Sequence, residues 1–234
     1  MKCFTLICLG VFLTSFADGA SLKKRIFVVS SYHKSYLWSQ STHKGLTEAM
    51  LFYGYLDNAQ QVRTFTKYDY IESSKAVVQK DWMDTKRKNS SREIAQATYR
   101  IMQTINVFKP DIVMLGDDNA ANYIGNQLLD TKTPVIFWGI NGLPLKYGLI
   151  ESMDSPGHNI TGVWQAGYHK ESLDLLHALV PEAKTFAILS CDSVTTRAKV
   201  KQIQSLAKKG KLPLKLVDTV VSNSFSVFKF RVLE

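Results

Sequence analysis

The sequence predicts an α/β protein of two lobes, each a mainly parallel sheet flanked by helices, with the second lobe incomplete. Three observations carry that reading. Short β-branched apolar runs alternate with longer segments of helical period, the signature of βαβ units. The periodicity lapses from Gly142 to His158, where Gly, Pro, Ser and Asp accumulate, and then restarts. The composition, 45% hydrophobic and 21% charged over 234 residues, is that of a globular chain rather than a disordered or fibrous one.

In chain order, Arg25 to Ser30 is the first strand, and Ser30 to His33 forms its polar exit. A helix follows from Trp38 to Tyr55, with Leu46, Ala49, Met50 and Tyr53 on one face. Asn58 to Tyr68 reads as a second strand. Ser90 with Glu93 three residues later is a capping box, and Ile94, Ala97, Ile101, Met102 and Ile105 continue a core-facing stripe that ends at Pro110. Asp111 to Leu115 is a third strand running into Gly116, Asp117, Asp118 and Asn119. A helix then spans Ala120 to Leu129, with one of the two aspartates as its cap. Pro134 to Trp138 is the fourth strand.

Beyond the lapse, Ile160 to Val163 is a strand, Tyr168 to Leu179 a helix, Thr185 to Leu189 a strand and Val194 to Lys209 a helix. Leu214 to Val221 is the last strand, and another helix begins near Phe225. These readings divide the chain into an N-terminal lobe over residues 21–145, a linker or hinge over 146–163 and a partial C-terminal lobe over 164–234. A parallel sheet needs cover on both faces, so a lobe this short is expected to leave apolar surface exposed.

The first 20 residues read as a cleaved signal peptide. Lys2 gives a minimal positive start and Phe4 to Phe16 is apolar and uncharged, shorter than the about 20 residues a membrane span needs. Ser15 with Ala17, or Asp18 with Ala20, supplies the small-x-small cleavage spacing. Cys3 and Cys8 would leave with the leader, so Cys191 is the cysteine that stays and no internal disulfide is expected. Periplasmic localisation follows from this reading.

The net charge of +9 is spread over dispersed Lys and Arg with no zinc-finger, RNP or helix-turn-helix pattern beside it. A solvated basic face is therefore expected and a nucleic-acid partner is not. The sequence carries no H-x-x-x-H or mature C-x-x-C spacing, no G-x-S-x-G elbow, and no phosphate or dinucleotide loop. Hence no metal, no cofactor and no catalytic residue is expected. Asp117 and Asp118 are the one pair that invites a hydrolase alternative.

In open parallel sheets, ligands bind beyond the carboxyl ends of the strands. That rule selects four loops: Ser30 to His33, containing Ser31 and Tyr32, Gly116 to Asn119, Trp138 to Asn141 and Ser190 to Ser193. Short hydrogen-bonding side chains fill them, and Tyr32, Trp38, Trp138 and Trp164 lie close by, a mixture suited to a solute with a planar or apolar body and a few polar groups.

Ser30-Ser31-Tyr32-His33 with Tyr36, Trp38 and Ser39, then Asp111 to Asn119, Pro134 to Asn141, Asn159 to Val163 and the helix with Glu171 and Ser172 together resemble the ABC-transporter substrate-binding-like family of type I periplasmic binding proteins. The likeness runs from about Lys24 to Phe228. It implies a receptor whose two lobes close around a small organic solute, an amino acid or aromatic compound among the candidates. An ABC permease or a membrane sensor would be its partner, and membrane contact would come only through that partner. A periplasmic sensory input domain is the alternative role. The resemblance implies that Tyr32, Trp38, Asp118, Asn119, Trp138, Asn141, Trp164 and Asp192 face the cleft, with Ser31 beside them. It also implies that members continue past the position of Glu234.

Overall fold

The computed structural model describes residues 23–233, so the leader reading, with Cys3 and Cys8, lies outside the described residues. The chain forms a six-stranded sheet and a separate two-stranded one. In the large sheet, β1 (Lys24–Ser30) lies between β3 (Ala76–Trp82) and β4 (Ile112–Gly116), and β5 (Val135–Ile140) and β6 (Ile160–Trp164) follow β4 outward. These five run parallel, and the short β2 (Tyr70–Glu72) closes the other edge antiparallel to β3. The strand at residues 160–164, placed by sequence at the linker, thus completes the large sheet.

Side chains of β1 alternate between two cores, as a period of two residues requires. Phe27 and Val29 face a cluster built with α3 (Ser91–Phe108) through Ile94, Ile101 and Ile105. Ile26 and Val28 face a second cluster with Met50 of α1 (Leu37–Phe52) and Phe65 of α2 (Ala59–Lys67). The predicted box at Ser90 and Glu93 is present in both directions.

The strand expected over Asn58 to Tyr68 is the helix α2. Val62, Thr64 and Thr66 favour an extended chain, but the Asn58 side chain accepts from the Gln61 amide at 3.0 Å and starts a helix that lays Phe65 into the core. The actual second and third strands, β2 and β3, went unpredicted for a related reason. In β3 the inward positions are Ala76, Val78 and Lys80, and a lysine at a buried site hides the alternation. Replacing the cap by Asn58→Ala should lower stability by about 1 kcal/mol, read as a shift in urea midpoint at constant slope.

Three parallel pairings fix where the functional edge lies. Ser30 is opposite both Trp82 and Gly116, and Gly116 is opposite Trp138, so β3, β1, β4 and β5 end level with one another. Strand order reverses between β1 and β4, the topological switch point at which a crevice opens.

After β4, residues 117–128 form one helix, α4, with a π-helical middle (Ala120–Gly125) between short α turns. Its N-cap is Gly116, which makes no side-chain cap; the aspartates expected to cap it have other partners, described below.

The small sheet pairs β7 (Thr185–Ser190) with β8 (Lys215–Val221) in parallel. Around it lie α5 (His169–Leu179), α6 (Val194–Lys208) and α7 (Phe225–Leu233). Its apolar cover is thin: α5 and α7 have no buried residue, and Leu175, Leu179, Phe225 and Phe230 are exposed. Among the described residues no helix is long and apolar enough to cross a membrane.

Candidate functional site

The carboxyl edges of the two sheets face each other across a cavity of about 440 Å³. From the large sheet it is lined by Tyr32 after β1, by Thr85, Lys86 and Asn89 after β3, and by Asn119 of α4; from the small sheet come Cys191 to Ser193, Arg197 and Asn223. Its size falls within the range of small-ligand sites, and its wall is mainly polar.

On the large-sheet side a buried network fixes the wall. Ser31 donates through Oγ to the Gly116 carbonyl at 2.7 Å and accepts from the Ala120 amide at 2.8 Å, which ties the β1 exit to the start of α4. Thr85 donates from its amide (2.9 Å) and its hydroxyl (2.7 Å) to the Ser31 carbonyl, bringing in the β3 exit. Asn119 Nδ2 then donates to Thr85 Oγ1 at 2.8 Å. That bond leaves Asn119 Oδ1 buried without a partner, although the residue is only 6% exposed. An orphaned buried acceptor in a cavity wall is an unmet demand for a donor.

Charge at the site is mostly basic. Lys86 Nζ lies 4.6 Å from the Tyr32 ring centre and 5.2 Å from that of Tyr36, a cation held over aromatic faces at the cavity wall. Across the gap, Arg197 in the first turns of α6 pairs with Asp192, whose backbone is held by Asn223: the Asp192 amide donates to Asn223 Oδ1 (2.9 Å) and Asn223 Nδ2 to the Asp192 carbonyl (3.1 Å). Gln202 Nε2 donates to the Asn141 carbonyl at 3.1 Å, a direct bond between the two halves.

Of the nine residues expected at the cleft, Tyr32, Asn119 and Asp192 line the cavity. Ser31 supports it from behind. Asp118 is 1% exposed and turned away into the β5 exit: its Oδ1 accepts from the amides of Asn141 and Gly142 and from the Tyr147 hydroxyl, each at 2.9 Å, and its Oδ2 from Asn141 Nδ2 at 3.1 Å. Burial, with Asp118 beside it, pushes the Tyr147 hydroxyl up, so it stays a donor. Asn141 is thereby part of this turn.

Trp38 donates through Nε1 to Asp117 Oδ1 at 2.6 Å, at the edge of the sheet and not in the cavity lining. Trp138 lies flat over Gly116, where an added Cβ would sit 2.5 Å from the indole, and packs with the cluster on the α1 side. Trp164 packs against the other core and borders a separate apolar depression with Phe137 and Ile150.

Three of the four exits end at one edge of the large sheet and the fourth, Ser190 to Ser193, faces that edge from the small sheet, but several side chains on them point into the protein. Thr85, Lys86, Arg197 and Asn223 escaped the sequence reading. Recognition of β3 would have exposed the first two as a strand exit; Arg197 was visible only as one of several basic residues.

Asp117 has a φ of 67°, a left-handed conformation that aspartate and asparagine tolerate better than most residues. Burial pushes its carboxyl up to about 7, helped by the nearby Asp118 and opposed by the Trp38 bond and Lys86. Gly139, with φ 68°, passes so close that a Cβ there would lie 3.2 Å from Asp117 Oδ1. Among the described residues no group of three His, Cys, Asp or Glu is arranged to hold a metal ion.

A mainly parallel α/β sheet with a crevice at its switch point, faced by the start of a second parallel sheet, defines a protein of the periplasmic-binding-protein-like class. The chain belongs to the ABC transporter substrate binding protein family, whose model matches residues 73–229. Solved structures agree in fold. One is the ABC domain from Streptococcus pneumonia in complex with L-Trp: 19% identity and TM-score 0.57, covering 86% of this chain and 58% of that one. Another is the ligand-free, open structure of CD0873, a substrate binding protein with adhesive properties from Clostridium difficile: 17% identity and TM-score 0.55, covering 90% of this chain and 62% of that one. A third is a branched chain amino acid ABC transporter from Thermus thermophilus with bound valine: 14% identity and TM-score 0.51, covering 92% of this chain and 49% of that one. The chain thus spans less than two thirds of the length of each. No curated protein matches the sequence.

Proposed function

We propose that the chain is the binding part of an extracytoplasmic receptor that captures a small zwitterionic solute, an amino acid or a close relative, between its two sheets and presents it to an ABC permease. The single observation that carries the reading is the orphaned Asn119 Oδ1 in the wall of the cavity between Lys86 and Arg197. A carboxylate on the solute finds Lys86 and Arg197, and its ammonium group supplies the donor that Asn119 Oδ1 lacks. The neighbours crystallised with L-Trp and with valine support that substrate class. The leader reading of residues 1–20 supports export to the periplasm. No chemistry on the solute is needed: binding favours the closed arrangement of the lobes, which pivot on the chain between β6 and α5.

Thermal-shift screening of free amino acids, with L-tryptophan and L-valine first, followed by calorimetric titration of each hit, tests this. Arg197→Ala should weaken a hit about tenfold or more with the urea midpoint near that of the parent, and Asn119→Ala should weaken it as much while costing about 1 kcal/mol with its bond to Thr85. A hit whose affinity survives both substitutions binds elsewhere, and the proposed cleft then loses its ligand.

A further inference from the structure

We propose that a second site, on the α1–α2 side of the large sheet and separate from the cleft, binds a small planar organic carboxylate. A cavity of about 840 Å³ opens there between α1, α2 and β3. Three polar atoms of its lining residues are buried without any hydrogen-bond partner: Ser39 Oγ, His43 Nδ1 and Trp82 Nε1. Ser39 and His43 are 1% and 7% exposed, and both belong to the cavity lining. Three such atoms at one cavity call for a common partner.

The chemistry of that partner follows from what these groups offer. Trp82 Nε1 only donates. His43 Nδ1 carries its hydrogen when Ser30 Oγ donates to His43 Nε2 across their 2.6 Å contact, and burial holds this ring neutral, its pKa lowered to about 3. Ser39 can donate as well. Beside them Lys80 is a buried ammonium with one short bond, 2.5 Å to the Phe65 carbonyl, and its nearest carboxylate, Asp69, is 3.9 Å away. All four offer protons, so an oxyanion satisfies them together and a cation satisfies none.

The rim agrees. Lys34, Lys44, Arg63, Lys80 and Arg87 line the cavity against Glu48 alone. Counting also the carboxylates that pair with them from behind, Asp69 and Asp84, five cations meet three anions. The surplus of positive charge attracts an anion to the mouth. The Trp82 ring and Val62 supply the apolar part of the lining, which favours a carboxylate attached to a planar body over a bare inorganic ion.

Calorimetric titration of the purified chain with sodium benzoate, and in parallel with inorganic phosphate, tests the proposal. Benzoate should bind saturably and shift the His43 imidazole NMR signals. Arg63→Glu, at an exposed position, and Ser39→Ala should each weaken it about tenfold or more; Lys80→Met should do the same if it folds. Arg197→Ala should leave benzoate binding unchanged, which separates this site from the cleft. Absence of saturable binding, indifference to Arg63→Glu and Ser39→Ala, or loss in Arg197→Ala overturns the second site. Phosphate binding as tight as that of benzoate overturns the planar carboxylate as its ligand.

Discussion

Asp118→Ala is expected to lower the stability of the chain by about 4 kcal/mol, a large share of the 5–15 kcal/mol that a domain commands. The carboxylate accepts from the consecutive amides of Asn141 and Gly142, from the Tyr147 hydroxyl and from the Asn141 side chain. Truncation removes the acceptor and leaves the donors, and an unsatisfied buried donor costs about 1–3 kcal/mol. The sum is not additive, because the turn after β5 relaxes and admits water, and a total near 4 allows for that. Asp118→Asn keeps an acceptor oxygen for the two amides but sets an NH₂ group against Asn141 Nδ2, so it should cost about half as much. Urea unfolding at unchanged slope reads both. A loss below about 1 kcal/mol in the alanine variant contradicts the role assigned to this carboxylate. The outcome also bears on the hydrolase alternative. Both oxygens of Asp118 are engaged inside the protein, so lost turnover in Asp118→Ala would report a damaged fold and not a missing catalytic group.

Hydrophobic period decided most of what was legible in the sequence. Where a segment packs by its own pattern, as in β1, α3 or β4, the residues announce the element and even its ends, because burial on a regular face is what stabilises it. The reading failed between residues 58 and 82, where two local signals point the wrong way. Threonines and valine in α2 favour strand, and their preference is overridden by the Asn58 cap and by Phe65 docking into the core. Lys80 occupies an inward position of β3 and breaks the apolar alternation, because its buried ammonium finds the Phe65 carbonyl at the end of α2. The same contact that concealed β3 concealed half of the cleft, since Thr85 and Lys86 were not seen to follow a strand. The edge at which the strand exits lie level was legible, because chain topology fixes it. Which way each side chain points was not. Ser31, Asp118, Trp138 and Asn141 sit on the strand exits but turn inward, and that choice is made by partners far along the chain, such as Gly116 beneath Trp138 or Tyr147 beside Asp118.

Asp117→Asn should change how stability depends on pH between about pH 4 and 7. In the folded chain the Asp117 carboxyl keeps its proton up to about pH 7, against an ordinary value of 3.8, because burial disfavours the charge. The unfolded chain has lost that proton by then, so between about pH 4 and 7 folding takes one up and stability falls as pH rises. His43 acts in the opposite sense over nearly the same range. Its folded pKa is lowered from 6.5 to about 3, chiefly by burial and then by Lys80, so the unfolded chain holds the extra proton and stability rises with pH through that window. Each slope approaches about 1.4 kcal/mol per pH unit, and between about pH 4 and 6.5 the two cancel. The parent protein is therefore expected to be flat with respect to this pair. Asparagine tolerates the left-handed backbone at 117 and keeps an oxygen for the Trp38 indole, so the substitution removes the titration with little else. The variant should gain on the order of 3 kcal/mol near pH 7.5, gain almost nothing near pH 4, and show the rising slope of His43 laid bare between them. Urea midpoints at those two pH values measure it. If parent and variant keep the same difference at both, Asp117 does not hold a proton in the folded chain, and the two slopes do not cancel.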